Sequence, residues 1–396
     1  MGPGNPFGFD LSQFMRMLQS QGPINVDVAR QVAGAIAGLD AETGRPVADP
    51  PADDATRAAF EQLVRAAQNA VASSTGIAQA LTVPARCVNR SEWANTTLDA
   101  LAPVLESLAT ALGGDAGERA PDASRLGQAD DTGEALYEML MQTVVPVLLG
   151  VWSGWMIGQL SHRTLGQYDL PLPLTGPPTL LFVAPNVDAF AQEWSLPVDE
   201  LRYALALREA VHGAQRSVPW VRDHLVSLAS EYVGAYEVQP SAFEESLGQF
   251  DFTNPEAFQS PNVFGDPRSL LNAMQSERQP PLLEALQRFV SVLEGYTDVV
   301  VETLGASMVP SHVRIDEALR RHRLERGEAA AFVDRLLGLE LERDHYEAGV
   351  AFCRGVVERA GIDGLNRLWE REEMAPTPAE LAAPGLWLAR IELDFT

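Results

Sequence analysis

The sequence predicts a mainly α-helical protein with at most a small β-sheet, in the α+β class. Two observations carry this. Apolar residues recur at helical spacing through most of the chain, and helix-start signals accompany them. Against them stands one convincing strand, residues 179–183 (Thr-Leu-Leu-Phe-Val), bounded by Pro177-Pro178 and Pro185. With 396 residues at 46 % hydrophobic content, the chain can bury a large core, and its length suits two or three domains.

Taken in order, Val26, Val28, Ala29, Val32 and Ala33 form a short amphipathic run. Residues 40–54, rich in Pro, Asp, Gly and Thr, read as a linker. Helices are expected over 55–73 and 92–112, then a polar, Gly-rich loop over 113–133. Residues 139–161 carry no charge, which is long enough to cross a bilayer. Gln142, Thr143, Pro146, Ser153 and Gln159 interrupt that run. Gly150, Gly154 and Gly158 make one smooth stripe where another helix backbone can approach closely. No basic cluster flanks the upstream side, so the reading is a buried helix of a non-membrane protein. Pro197 followed by Asp199 and Glu200 opens a helix reaching about Gln215. A long connection over 240–280 leads to helices over 281–308 and 314–361, and Trp369 and Trp387 pack the tail down. The expected division is an N-terminal helical region, 1–135, and a second domain, 136–396.

Charge narrows the function. There are 29 basic residues, all Arg, against 54 acidic ones, a net charge of −25. Such a surface repels nucleic acid and anionic membranes, because both bind clustered positive charge. Cys87 and Cys353 lie far apart with no CxxC spacing, which argues against a disulfide framework or thiolate metal site. The first 20 residues lack a basic segment followed by an apolar one, so no secretory signal is expected and the cytoplasm is the expected location.

The candidate chemistry sits on two helices. In Arg208-Glu209-Ala210-Val211-His212, Glu209 and His212 keep the register of His-Glu-x-x-His, with Arg where the first His would stand. In that motif two His at i and i+4 bind one zinc ion and the Glu serves as general base. Glu294-Gly-Tyr-Thr-Asp298 puts Glu294 in an apolar helical stripe with Val290, Thr297 and Val301, where a carboxylate needs a metal, a cation or a proton. A helix-face salt bridge to a nearby Arg such as Arg288 is the bland alternative. Leu201, Leu205, Arg208, His212 and Gln215 share one face of their helix, so Arg208 is expected to point inward and pair with Glu294 or Asp298.

Longer stretches carry a resemblance. Residues 158–173, with Arg163-Thr-Leu-Gly-Gln-Tyr-Asp-Leu-Pro-Leu-Pro173, Pro185-Asn186, Leu293-Glu-Gly-Tyr-Thr-Asp298, Leu336-Leu-Gly-Leu-Glu-Leu-Glu and Leu365-Asn-Arg-Leu-Trp369 resemble segments of the bacterial zincin-like metallopeptidases. So do Pro6-Phe-Gly-Phe-Asp and Gly22-Pro-Ile-Asn-Val-Asp. The resemblance implies a zincin-like helical core in 136–396, Glu209 as general base, His212 and Glu294 as zinc ligands, and Asp298 as partner of a ligand. Position 208 departs from the pattern. Arg cannot ligate a metal, so zinc is expected to be weakly held or absent. Two readings remain open: an impaired hydrolase acting on a peptide or amide, and a binding or scaffold protein with an Arg–carboxylate cluster in place of zinc, its protein partner unspecified.

Overall fold

The computed structural model describes residues 22–40, 43–113, 132–237, 276–324 and 328–393. The connection over 240–280 (save its last residues), most of the loop over 113–133, and Pro6-Phe-Gly-Phe-Asp lie outside them. The described chain is mainly helical, with one two-stranded parallel sheet.

Helix α1 (Val26–Ala37) starts where Asn25 Oδ1 accepts the Val28 amide at 3.0 Å. Helix α2 (Asp54–Thr75) is capped the same way by Asp53. Strand β1 (Ala85–Val88), helix α3 (Arg90–Gly113) and helix α4 (Thr132–Ser161) follow. The glycine stripe of α4 does what its spacing predicts. Cβ atoms built on Gly150 and Gly154 would lie 2.4 and 2.3 Å from the carbonyl oxygens of Asn25 and Ala29, and one on Gly158 would meet Ile36 at 2.7 Å. Only hydrogen at those positions lets α1 lie directly on α4. Met156, Ile157 and Leu160 are buried, and no described helix is long and apolar enough to cross a membrane.

Strand β2 (Leu180–Val183) pairs in parallel with β1, Ala85 opposite Leu180 and Val88 opposite Val183. Sequence reading found β2 and missed β1. Ala-Arg-Cys-Val is short and half-polar, and its partner lies almost a hundred residues downstream. The turn at 164–169 is tied to β2, the Gln167 amide donating to Leu181 O (2.9 Å) and the Val183 amide to Leu165 O (3.0 Å). Helix α5 (Ala184–Glu193) leads to α6 (Val198–Ser217), where every residue from Ala204 to Arg216 is buried. Gly213 faces Leu180 of β2 closely enough that a Cβ would stand 2.7 Å away. Helix α6 is therefore enclosed all round, and each polar group on it must find a partner inside.

Helix α7 (Pro219–Val233), unforeseen in the sequence, starts with Pro in its first turn. Helix α8 (Gln279–Met308) lies beside α6. The helical stretch expected over 314–361 is divided into α9 (His312–Leu324), α10 (Glu328–Leu336) and α11 (Arg343–Asn366). Gly338, at φ +69°, turns the chain after α10. Gly349 of α11 meets Gly295 of α8 backbone to backbone. The tail then docks behind α8. The Trp387 indole donates to Met374 O at 2.7 Å, and the Tyr296 hydroxyl of α8 donates to Asn366 Oδ1 at 2.7 Å. One contiguous apolar cluster runs from Ile24 to Ile391.

The helix contact at Gly154 is testable against a glycine in open space. Gly154→Ala should cost about 1–3 kcal/mol of stability through overpacking. Gly34→Ala, where an added Cβ meets nothing within 4 Å, should gain about 0.5–1 kcal/mol. Urea unfolding midpoints that move in the same direction for both variants would contradict the close approach of α1 and α4.

Candidate functional site

Helices α6 and α8 turn their polar groups toward each other. The Arg208 guanidinium, its side chain 7 % exposed, reaches across to two carboxylates of α8, those of Glu294 and Asp298. Nη1 donates to Asp298 Oδ1 at 2.6 Å and Nη2 donates to Glu294 Oε2. Glu294 is buried, while Asp298 keeps an outer edge in solvent and has Arg323 3.8 Å away. Arg208 thus points inward and pairs with both acids. Arg288, by contrast, pairs with Glu284 on its own helix at 3.8 Å.

One turn along α6, His212 is fully buried. Its Nε2 lies 3.6 Å from Glu294 Oε1 and makes no hydrogen bond, while its Nδ1 faces Arg216 Nη1 at 3.1 Å. Arg216 in turn stacks its guanidinium over the Tyr168 ring, 4.7 Å from the centroid. Glu209, three residues before His212, bonds the backbone of the same Tyr168. Both its oxygens accept the Tyr168 backbone amide, at 3.0 and 3.2 Å. The carboxylate reaches that amide by passing over Gly166, where a Cβ would stand 2.4 Å from Oε1. The tie between the 164–169 turn and β2 therefore sets where Glu209 sits. Asp169, next in the turn, accepts the Leu165 amide at 3.1 Å and lies 3.4 Å from His322.

Burial dominates the protonation of this cluster. It pushes the Glu209 carboxyl up to about 8, against the Tyr168 amide bond that favours the anion. Burial also raises Glu294, with Arg208 opposing it. Burial would raise Asp298 too, but Arg208 and Arg323 hold it below the usual carboxylate range. Asp169 is likewise opposed by burial and is held down to about 2 by the His322 hydrogen bond and charge. His212 is driven well below its ordinary value, first by burial and then by Arg216 and Arg208, so it is neutral at physiological pH.

The residues do not fit a catalytic zinc ion. Two donors on one tetrahedral zinc stand about 3.4 Å apart, and the 3.6 Å between His212 Nε2 and Glu294 Oε1 is close to that. Among the described residues no third protein ligand stands beside them, and a permanent cation already occupies Glu294. Among the described residues, no three His, Cys, Asp or Glu side chains are grouped to hold a metal. The other histidines are not recruited. His162 bonds Ile36 O, His224 bonds Glu372, and His345 caps α11. Arg216 and the Tyr168 amide had escaped the sequence reading. Arg216 could have been found as the residue one turn beyond His212, whereas nothing in the sequence marks a backbone amide.

The sequence profile of the zincin-like metallopeptidases matches residues 24–388, and the chain belongs to that family. A crystal structure from Chloroflexus aurantiacus, provisionally designated a hydrolase with a novel fold, shares the architecture with a TM-score of 0.57. It is 24 % identical, and the match covers 93 % of this chain and 99 % of that one. No curated protein matches the chain.

Two outcomes follow from the buried charges. Arg208→Ala leaves two carboxylates without their cation and should cost about 3–5 kcal/mol in chemical unfolding; a loss under about 1 kcal/mol would place Arg208 outside the core charge balance. Glu209 binds its proton more tightly folded than unfolded, between its ordinary value of 4.5 and about 8. Its contribution to stability is therefore complete below that window and lost as pH rises through it. Unfolding measured across the window should show wild type losing up to about 1.4 kcal/mol per pH unit relative to Glu209→Gln, and parallel pH profiles would refute the assignment.

Proposed function

We propose that this zincin-like chain has a peptidase centre closed by an internal cation, and that it acts by binding a partner through the retained fold. The observation that carries the reading is Arg208 seated across Glu294 and Asp298. A peptidase zinc needs three protein ligands and one open position for water. Here one ligand position carries a side chain that keeps its proton and charge. The would-be base is also disengaged: Glu209 is buried against the Tyr168 amide, and its carboxyl, raised to about 8, is mostly protonated at neutral pH. Two free, widely separated cysteines suit a reducing compartment, and we place the protein in the cytoplasm.

A hydrolase acting on a peptide or amide is the second reading. The family supports it, as does the near-metal spacing of His212 Nε2 and Glu294 Oε1.

Elemental analysis of the purified chain separates the two. After dialysis the protein should carry zinc well below one equivalent, and added zinc should produce no cleavage of peptide libraries. Near-stoichiometric zinc would overturn the closed centre, and zinc-dependent cleavage lost in Glu209→Gln would establish the hydrolase instead.

A further inference from the structure

Arg208 accounts for one missing ligand, but the environment of His212 carries a second obstacle. Its Nδ1 lies 3.1 Å from Arg216 Nη1. A guanidinium has donors and no acceptor. At that distance Nδ1 must offer its lone pair, because an Nδ1–H would set two donors head to head. Two acceptors compete for a ring hydrogen. Thr297 Oγ1, 3.5 Å from Nδ1, donates to Leu293 O at 2.9 Å and also meets Gln215 Oε1 at 3.4 Å. The Gln215 side chain is the other, and its hydrogen bond favours a protonated imidazole. Gln215 Nε2 in turn donates to Leu293 O at 2.9 Å. A neutral imidazole with Nδ1 as acceptor carries its hydrogen on Nε2, and Nε2 is the atom that faces Glu294 Oε1.

Metal-ligating histidines have the reverse arrangement. The ligating nitrogen presents its lone pair, and the other donates its N–H to a carboxylate, a carbonyl or water. In this chain a donor stands where that acceptor should be. Arg216 has little freedom to leave. It is 3 % exposed and its guanidinium is stacked on Tyr168.

We infer that Arg216 is a positioning residue that closes the metal site independently of Arg208, by fixing His212 as the Nε2–H tautomer with its hydrogen toward Glu294. The inference rests on the reading of a closed zinc centre and adds a second cause for it. Restoring the family's histidine at position 208 would then not be enough. The ion would still meet an N–H on His212, with a buried guanidinium behind the ring.

The test begins on the wild-type chain labelled with 15N-histidine, using long-range proton–nitrogen correlation, with the His212 signals assigned from His212→Gln. His212 Nδ1 should give the signature of an unprotonated nitrogen and Nε2 that of a protonated one. Zinc ions alone are then titrated, by calorimetry and chelator competition, into Arg208→His and into Arg208→His/Arg216→Gln, whose amide oxygen can accept from Nδ1. The double variant should bind zinc at least about tenfold more tightly than the single one. A hydrogen found on Nδ1 in the wild type overturns the inference, whether or not the variants fold. So does a single variant that binds zinc as tightly as the double, or a folded double variant that binds none. Stoichiometric zinc in the wild type would instead defeat the proposed function itself, so the two failures are distinguishable.

Discussion

The Arg208 guanidinium held between Glu294 and Asp298 is the constraint around which the interior of this protein is organised. Desolvating an arginine and a carboxylate is costly, and the cost is offset only when charge and hydrogen bonds are returned in good geometry. Helix α6 is buried on every side from Ala204 to Arg216, so water cannot provide that compensation. Helix α8 supplies it, presenting two acids four residues apart on the face that meets α6. The position of α8 relative to α6 is thereby tied to a charge balance as well as to packing.

That arrangement depends on contacts some distance from the charges. Gly295 and Gly349 let α11 lie backbone to backbone against α8, directly beside Glu294 in the chain. Tyr296 is anchored by Asn366 and by the Trp369 ring, whose centroid is 4.9 Å away. On the other flank, the 164–169 turn is hydrogen-bonded to β2 and presents the Tyr168 amide to Glu209 and the Tyr168 ring to Arg216. One residue thus holds both the acid that would act as base and the cation beside His212. Membership in the zincin-like metallopeptidase family gives this cluster its interest. On the reading proposed above, Arg208 fills the position of a ligand and Arg216 that of a ligand's support.

Much of this was legible in the chain itself. The helical class, the buried strand at 180–183 and the close-packing glycines of α4 follow from local periodicity and residue size, which act over a few residues and leave a direct mark. The inward direction of Arg208 and its carboxylate partners was legible for the same reason: the spacing from Leu201 to Gln215 defines one helical face, and a buried cation needs an anion. Strand β1 was not legible, because a four-residue strand is specified by its partner. The separation of α10 from α11 within the stretch at 314–361 depends on a turn at Gly338 that helical periodicity does not reveal.

The sequence by itself determined which charged groups would have to be buried together, because helical spacing places them on apolar faces whatever the surrounding fold. Only the tertiary structure decided how their hydrogen bonds are shared: that Glu209 bonds a backbone amide, and that Arg216 stands behind the His212 ring. Those choices depend on distances of a few tenths of an ångström between segments far apart in the chain, and the identity of a residue does not encode which nitrogen of a histidine will meet a donor.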